Sequence, residues 1–296
     1  MARILRGKEA ADALTAKLSD RAAALRAKGI TPTLALIRIG EDPSDLSYEA
    51  GIRKRAEKVG TAVRGFYLPE TAEKEALFSA IDVLNRDDSV HGVLLFRPLP
   101  QHLKADENEI AARLDPKKDV DGMTPLSKSD VFSGRSSLGF PPCTPAACME
   151  ILDYYGIDCA GKHAVVVGRS KLVGKPAAMM LLERDATVTV CHTKTAGLAA
   201  ICRNADLIVT AARSLRLLTA DFVRPGQTVL DVSTVWDEAK PNAKGGLGAF
   251  AGDVDFAAVE PIVGAITPVP GGVGAVTTAV LMKHVIEAAE RGGQDE

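Results

Sequence analysis

Short apolar runs rich in branched side chains alternate with helical patterns along this chain, and that alternation limits it to very few architectures. Thr33–Ile39, ended by Gly40, reads as a strand buried on both faces, because its apolar side chains run on instead of alternating with polar ones. Before it, residues 10–28 carry Leu14, Leu18, Ala22 and Leu25 at helical spacing. After it, Pro43 opens a helix through Val59, stopped by Gly60. Residues 63–68 then read as a strand, 73–85 as a helix and 90–96 as another buried strand. Repeated β-α units of this kind imply a parallel sheet with helices on its faces.

A second series follows, with strands expected at His163–Val167, 187–190, Leu207–Thr210 and 228–232. Between the two series, 114–142 is irregular and carries Gly, Ser and Pro throughout; so long a loop is usually functional or a domain junction. A helix over 144–156, with Thr144 as N-cap before Pro145, opens the second half. The last helix, 275–291, comes too late for the second sheet and is expected to pack on the first domain. Two α/β domains are therefore expected: 1–141 completed by 275–296, and 142–274. The length of 296 residues agrees, being about twice that of one ordinary domain.

Composition excludes several classes. Hydrophobic residues at 46% and charged residues at 25% are enough for a core, against a disordered chain or a disulfide scaffold. The net charge of −2 points to neither nucleic acid nor a membrane surface as partner. Cys143, Cys148, Cys159, Cys191 and Cys202 are odd in number with no C-x-x-C pair, as expected of reduced thiols in a cytoplasmic protein. The opening MARILRGKEAADAL has Glu9 and Asp12 and no apolar run of a signal peptide. The most apolar stretch, 263–280, holds Pro268, Pro270 and several glycines, so it is not expected to span a membrane. His91, His102, His163, His192 and His284 are scattered, and no metal site is expected.

The strongest chemical signal is Val165-Val166-Val167-Gly168-Arg169-Ser170-Lys171-Leu172-Val173-Gly174-Lys175-Pro176: a buried strand, a glycine turn and a helix start. Gly168 permits the tight turn, and the helix start offers backbone N–H groups to a phosphate. An NAD site usually has an acid at the end of the next strand, to grip the ribose 2′-hydroxyl. Here that strand ends Cys191-His192-Thr193-Lys194, with a cation in place of the acid, and Arg169 adds a second beside the turn. Two cations favour a 2′-phosphate and hence NADP, the alternative being a solvated basic loop edge. His192 is read as a structural residue or a weak phosphate contact.

Further segments complete an ordered set. They are Gly40-Glu41-Asp42-Pro43-Ser44 leading to Tyr48, Arg97-Pro98-Leu99-Pro100-Gln101-His102, and Pro116-Lys117-Lys118-Asp119-Val120-Asp121-Gly122. Pro142-Cys143-Thr144-Pro145 and Thr267-Pro268-Val269-Pro270-Gly271-Gly272-Val273-Gly274 follow. With these the chain resembles the methylenetetrahydrofolate dehydrogenase/cyclohydrolase family almost end to end. The resemblance implies a folate-binding N-terminal domain, a Rossmann domain that binds NADP, a cleft between them, and a homodimer paired through the Rossmann domain. It also implies NADP-dependent oxidation of 5,10-methylenetetrahydrofolate to 5,10-methenyltetrahydrofolate. By resemblance, Tyr48 and Asp121 are catalytic or substrate-binding positions, and Leu95, Arg97, Pro270, Gly271, Gly272 and Thr277 are substrate contacts. Gly168, Arg169, Ser170, Val173, Gly174, Thr193, Lys194, Arg213 and Thr234 become cofactor contacts.

Two departures stand at the chemical centre. Four residues past Tyr48, where the family has a lysine, stands Ile52. In the family's L-V-Q-L-P-L-P-like segment the glutamine position is Phe96, followed by Arg97. The lysine, its pKa tuned by the glutamine, serves the cyclohydrolase step, so that activity is expected to be lost or weak. Other departures lie on the cofactor side: Arg213-Ser214-Leu215 replaces a glycine-lysine-proline turn, Ser233-Thr234-Val235 replaces G-I-N, and Ala275-Val276 replaces Pro-Met before Thr277. The alternatives are a relative acting on another folate adduct or imine, with Arg97 and Arg213 as new anchors, or a binding protein without turnover.

Overall fold

The structure, a computed structural model, describes residues 1–134, 139–241 and 246–292. From the N-terminus run β1 (Arg3–Ile4), α1 (Gly7–Ala27), β2 (Thr33–Ile39), α2 (Pro43–Val59), β3 (Ala62–Leu68), α3 (Lys74–Arg86) and β4 (Gly92–Leu95). Then come α4 (Glu107–Arg113), α5 (Pro125–Ser133), α6 (Cys143–Tyr155), β5 (His163–Val167), α7 (Gly174–Leu182) and β6 (Thr187–Cys191). They are followed by α8 (Leu198–Arg203), β7 (Leu207–Thr210), β8 (Thr228–Asp231), β9 (Val235–Pro241) and β10 (Leu247–Ala251). The short α9 (Phe256–Val259), β11 (Ala265–Ile266) and α10 (Thr277–Gly292) complete the order. The chain divides into two compact units, Met1–Ala11 with Thr144–Thr277, and Asp12–Cys143 with Thr278–Glu296.

The unit built on Asp12–Cys143 has a three-stranded parallel sheet in the order β3-β2-β4. As the central strand, β2 is buried at every residue, which is why it reads as a mostly apolar run; its one charge, Arg38, is buried and paired with Glu49 at 3.2 Å. α3 turns Leu77, Ile81 and Leu84 into a core shared with Ile37, Val93, Leu95, Leu103 and Ile110. α2 is well bounded: Asp42 accepts the Ser44 N–H at 2.7 Å, Pro43 opens the first turn, and Gly60 ends it with φ +82°. α10 belongs to this unit, as its late position in the sequence predicts; its buried His284 stacks on Phe140 with ring centres 5.1 Å apart.

The other unit holds a six-stranded sheet, all parallel, in the order β1-β11-β8-β7-β5-β6. The chain leaves β5 for β6 on one side and then builds β7 and β8 on the other. Its winding reverses at β5, and in sheets of this kind the crevice at such a strand's C-terminal end takes the ligand. Residues 1–11 depart from the expected division, because Arg3 pairs with Ala265 and Ile4 with Ile266 at the edge of this sheet. Three other features differ from expectation. The irregular stretch contains a short 3-10 turn, Pro116–Lys118, and α5, whose N-cap Thr124 accepts the Ser127 N–H at 3.1 Å. α6 begins at Cys143, so Thr144 lies in its first turn and is not its cap. An antiparallel hairpin, β9 with β10, follows β8. The five cysteines are free and buried. Among the described residues no helix is long and apolar enough to cross a membrane, and no cluster of His, Cys, Asp or Glu could hold a metal ion.

Candidate functional site

A cavity of about 740 Å³ opens at the C-terminal end of β5, at the reversal point of the sheet. Gly168, the first residue past β5, has φ +129°, and a Cβ there would lie 2.4 Å from the Ala211 carbonyl oxygen. Gly174 is as constrained, since its Cβ would fall 2.2 Å from the Gly168 carbonyl oxygen. The two glycines therefore bring the start of α7 directly onto the turn. Ser170 Oγ accepts the Val173 and Gly174 N–H groups, both at 3.2 Å, so the hydroxyl holds the helix start in position and takes up two of its backbone donors.

Gly168, Arg169, Ser170, Val173, Thr193, Arg213 and Thr234 line this cavity; Gly174 and Lys194 are not among its lining residues. His192 Nδ1 accepts the Lys194 N–H at 3.1 Å, and the Thr195 hydroxyl accepts the His192 N–H at 2.8 Å. His192 thus orders the turn that presents the exposed Thr193 and Lys194. Arg213, standing where glycine was expected, sits at φ +55°, a left-handed conformation that disfavours a side chain.

One residue of this unit escaped the sequence reading. Asp253 is fully buried, and its Oδ2 accepts the Thr210 hydroxyl at 2.7 Å, the Ser233 hydroxyl at 2.7 Å and the Ala212 N–H at 2.6 Å. Its Oδ1 accepts the Ser214 N–H at 2.7 Å. One carboxylate thereby ties together the segments after β7 and β8 that wall the cavity, and Arg213 N–H adds a bond to Ser233 Oγ at 3.1 Å. The one available signal was an acid inside the otherwise apolar run from Phe250 to Val254. Beside it, burial pushes the Asp231 carboxyl up to about 7.

In the other unit, β2 and α2 set Tyr48 and Ile52 one helical turn apart, and the two differ sharply in exposure: Tyr48 is 36% exposed and Ile52 0%. Phe96 follows β4, is 6% exposed, and packs edge to face on Tyr48. Leu95, expected to touch substrate, is instead part of the apolar core, because a residue of β4 beside the central strand is covered on both faces. Arg53 is engaged by Glu49 at 2.9 Å and by the Tyr67 hydroxyl at 2.8 Å, so it does not stand in for the missing lysine.

The loop that carries Asp121 is held from three sides. Lys118 Nζ donates to the carbonyls of Leu84, Asn85 and Asp87 at 2.8, 3.0 and 2.8 Å, closing the C-terminal end of α3. Asp119, fully buried, accepts Met123 N–H at 2.9 Å, Thr124 N–H at 2.7 Å and the Ser127 hydroxyl at 2.6 Å. His284 Nδ1 lies 2.8 Å from the Val120 carbonyl, to which it donates as a neutral ring; burial pulls its pKa down to about 4. Asp121 itself takes the Arg97 guanidinium on Oδ2 at 2.9 Å.

The remaining expected substrate contacts belong to the nucleotide-side unit. Gly271 has φ +98° and accepts Gly7 N–H at 2.8 Å, and a Cβ on Gly272 would lie 2.4 Å from the Pro268 carbonyl oxygen. Pro270 is exposed, and Thr277 opens α10 with its hydroxyl donating to Gly274 O at 3.0 Å.

Comparison with known proteins agrees with these features. Residues 5–121 match the catalytic domain of the tetrahydrofolate dehydrogenase/cyclohydrolase family, and residues 142–292 match its NAD(P)-binding domain. The chain belongs to this family. It is 47% identical to the bifunctional protein FolD of Carboxydothermus hydrogenoformans over 290 residues, 98% of each chain. The crystal structure of the Campylobacter jejuni bifunctional FolD superposes with a TM-score of 0.90 at 38% identity, over 98% of this chain and 99% of that one. The Trypanosoma brucei FolD, solved with NADP cofactor and an inhibitor, gives 0.90 at 32% identity over 99% of each chain. The tetrahydrofolate dehydrogenase/cyclohydrolase fold thus covers both units, and the cavity at β5 lies in the family's NAD(P)-binding domain. Its residues fit a dinucleotide on their own terms: a bare turn where any Cβ would collide, a cavity of suitable size, and the exposed Arg169 at its wall.

Proposed function

We propose that this chain oxidises 5,10-methylenetetrahydrofolate to 5,10-methenyltetrahydrofolate with NADP, and that it hydrolyses the methenyl product poorly or not at all. One observation carries the second half: at the lysine and glutamine positions stand Ile52, wholly buried, and Phe96, packed on Tyr48.

Chemistry separates the two activities. When bound, NADP supplies the hydride acceptor. Removing a hydride from the carbon that bridges two nitrogens leaves an amidinium cation, with no proton to move, so the step needs positioning above all. In this reading Tyr48 and Asp121 orient the pteridine, while Phe96 fixes the Tyr48 ring from the side. Gly168 and Ser170 would receive the pyrophosphate, Val173 would line its pocket and Gly174 would hold the start of α7 against the turn, with Thr193, Arg213 and Thr234 around the rest of the dinucleotide. Arg169 and Lys194 would attract the 2′-phosphate. Pro270, Gly271, Gly272 and Thr277 would contact the folate. Hydrolysis, by contrast, adds water to the methenyl carbon and needs a group that takes and returns a proton. Isoleucine and phenylalanine have none. A homodimer paired through the nucleotide-binding unit, working in the cytoplasm, is proposed on the resemblance alone.

A paired assay tests the reading. With methylenetetrahydrofolate and NADP, the methenyl product should accumulate and then decay at the rate it shows without protein. Decay that scales with protein concentration would remove the monofunctional half. Absence of NADPH formation would remove the dehydrogenase half.

A further inference from the structure

The family segment has glutamine then leucine where this chain has Phe96 then Arg97, so polarity has moved one residue along the chain. The two side chains meet different partners. Phe96 lies on Tyr48, whereas Arg97 reaches Asp121 at 2.9 Å. The polar group has left the Tyr48 side and arrived at the acid that, on the reading above, holds the pteridine.

We propose that Arg97 is a positioning residue, whose guanidinium fixes the orientation of Asp121 and keeps it charged for the N–H-rich edge of the pteridine. The inference rests on the reading of Asp121 as the pteridine's carboxylate. The pair is well shielded, with side chains 18% and 21% exposed. Stability does not explain it. An ion pair in such surroundings is often matched or bettered by apolar side chains of similar size. Arg97 Nε is moreover buried with no hydrogen-bond partner among the described residues, an added burden on the folded state. A leucine there would avoid both.

The surroundings of Asp121 supply the reason. Burial above all pushes its carboxyl up, and Asp119, in the same loop, adds to that. Arg97 is the cation that opposes both, and the Cys143 thiol, facing Asp121 from the start of α6, acts on the same side as Arg97 through a hydrogen bond. Glu107 on α4, 3.8 Å from Arg97 Nη1, steadies the guanidinium from the other side. From α10, His284 reaches this region as a neutral ring, its Nδ1 3.8 Å from Cys143 Sγ, and adds no charge. A guanidinium that occupies one carboxylate oxygen leaves acceptor capacity for a donor pair on the ligand.

The test compares wild type with Arg97→Leu and the charge-keeping Arg97→Lys. Titration of the Asp121 carboxyl carbon by NMR, assigned against Asp121→Asn, needs no substrate. Its midpoint should rise by about one pH unit or more in Arg97→Leu and less in Arg97→Lys. In steady-state kinetics at neutral pH, Arg97→Leu should raise KM for methylenetetrahydrofolate roughly tenfold while KM for NADP stays put, with Arg97→Lys in between. An unmoved midpoint, or a moved midpoint with unchanged KM, overturns the positioning role. A midpoint that moves in a wild-type background inactive on the folate supports the clamp and sinks the functional reading instead.

Discussion

Tyr48 and Phe96 meet edge to face, with ring centres 6.0 Å apart and planes at 73°. Such a pair contributes about 0.5–1.5 kcal/mol beyond simple burial. It also sets a hydrocarbon surface beside the Tyr48 ring, where the resemblance leads one to expect an amide.

Restoring the polar pair should restore hydrolysis. Ile52→Lys with Phe96→Gln is expected to hydrolyse methenyltetrahydrofolate well above the wild-type rate, measured by loss of its absorbance. Because Ile52 is 0% exposed, Ile52→Lys alone should lower unfolding stability by about 2–4 kcal/mol in denaturant titration. A folded double variant with no gain would shift attention to the cofactor-side departures.

Gly168→Ala should weaken NADP specifically. The added Cβ meets the Ala211 carbonyl at 2.4 Å at a φ of +129°, so the turn must open. The dissociation constant for NADP, read by calorimetry, is expected to rise about tenfold or more, roughly 1.4 kcal/mol. Folate binding should stay within twofold. Equal losses for both ligands would mean global damage.

Arg213→Gly separates strain from contact. Relieving a left-handed arginine at φ +55° should raise stability by about 1 kcal/mol. If the side chain touches the cofactor, KM for NADP rises in the same variant. A higher melting temperature with unchanged KM would remove Arg213 from the cofactor contacts.

His284→Gln should change the acid limb of stability. The folded pKa, about 4, lies below the free value of 6.5, so the neutral ring is the stabilised form. Its contribution is complete above pH 6.5 and is lost as pH falls toward 4, about 3 kcal/mol in all. Asp231, raised to about 7, acts in the opposite sense: its protonated form is favoured by folding, and stability gained below the unfolded pKa fades as pH climbs to 7. Without His284 the Asp231 trend remains, together with those of the other shifted groups, His91 and Glu287 among them, which are the same in both proteins. The variant should lose less stability than wild type between pH 6.5 and 4 in parallel denaturant titrations, and identical slopes would contradict this.

Much of the frame was legible. β2, β5 and β7 begin and end where the sequence predicts, because buried parallel strands are largely branched-apolar runs, marked at their ends here by Pro32 and Gly40, by Lys162 and Gly168, and by Asp206. The turn at Gly168 was visible for the same reason, as a glycine directly after such a strand. What escaped was short or non-local. β1 is two residues long, and its partner lies near the other end of the chain. β9 carries Asp237, Glu238, Lys240 and Pro241, a composition that hides a strand held by its hairpin partner. Asp253 draws its donors from Thr210, Ala212, Ser214 and Ser233, none of them within a local pattern. Arg97 offered a cation in the right neighbourhood, but only the fold shows that Asp121 receives it.

The pairing of Arg3–Ile4 with Ala265–Ile266 carries a consequence for biosynthesis. β1 is made before every other described strand, yet it belongs to the edge of a sheet whose neighbouring strand, β11, is the last of them to be made. Until then β1 has no partner, and β2, β3 and β4, contiguous in sequence, can already assemble as a sheet. Of the two sheets, the three-stranded one should therefore form first during translation, and the nucleotide-binding sheet should close only after residue 266 has emerged.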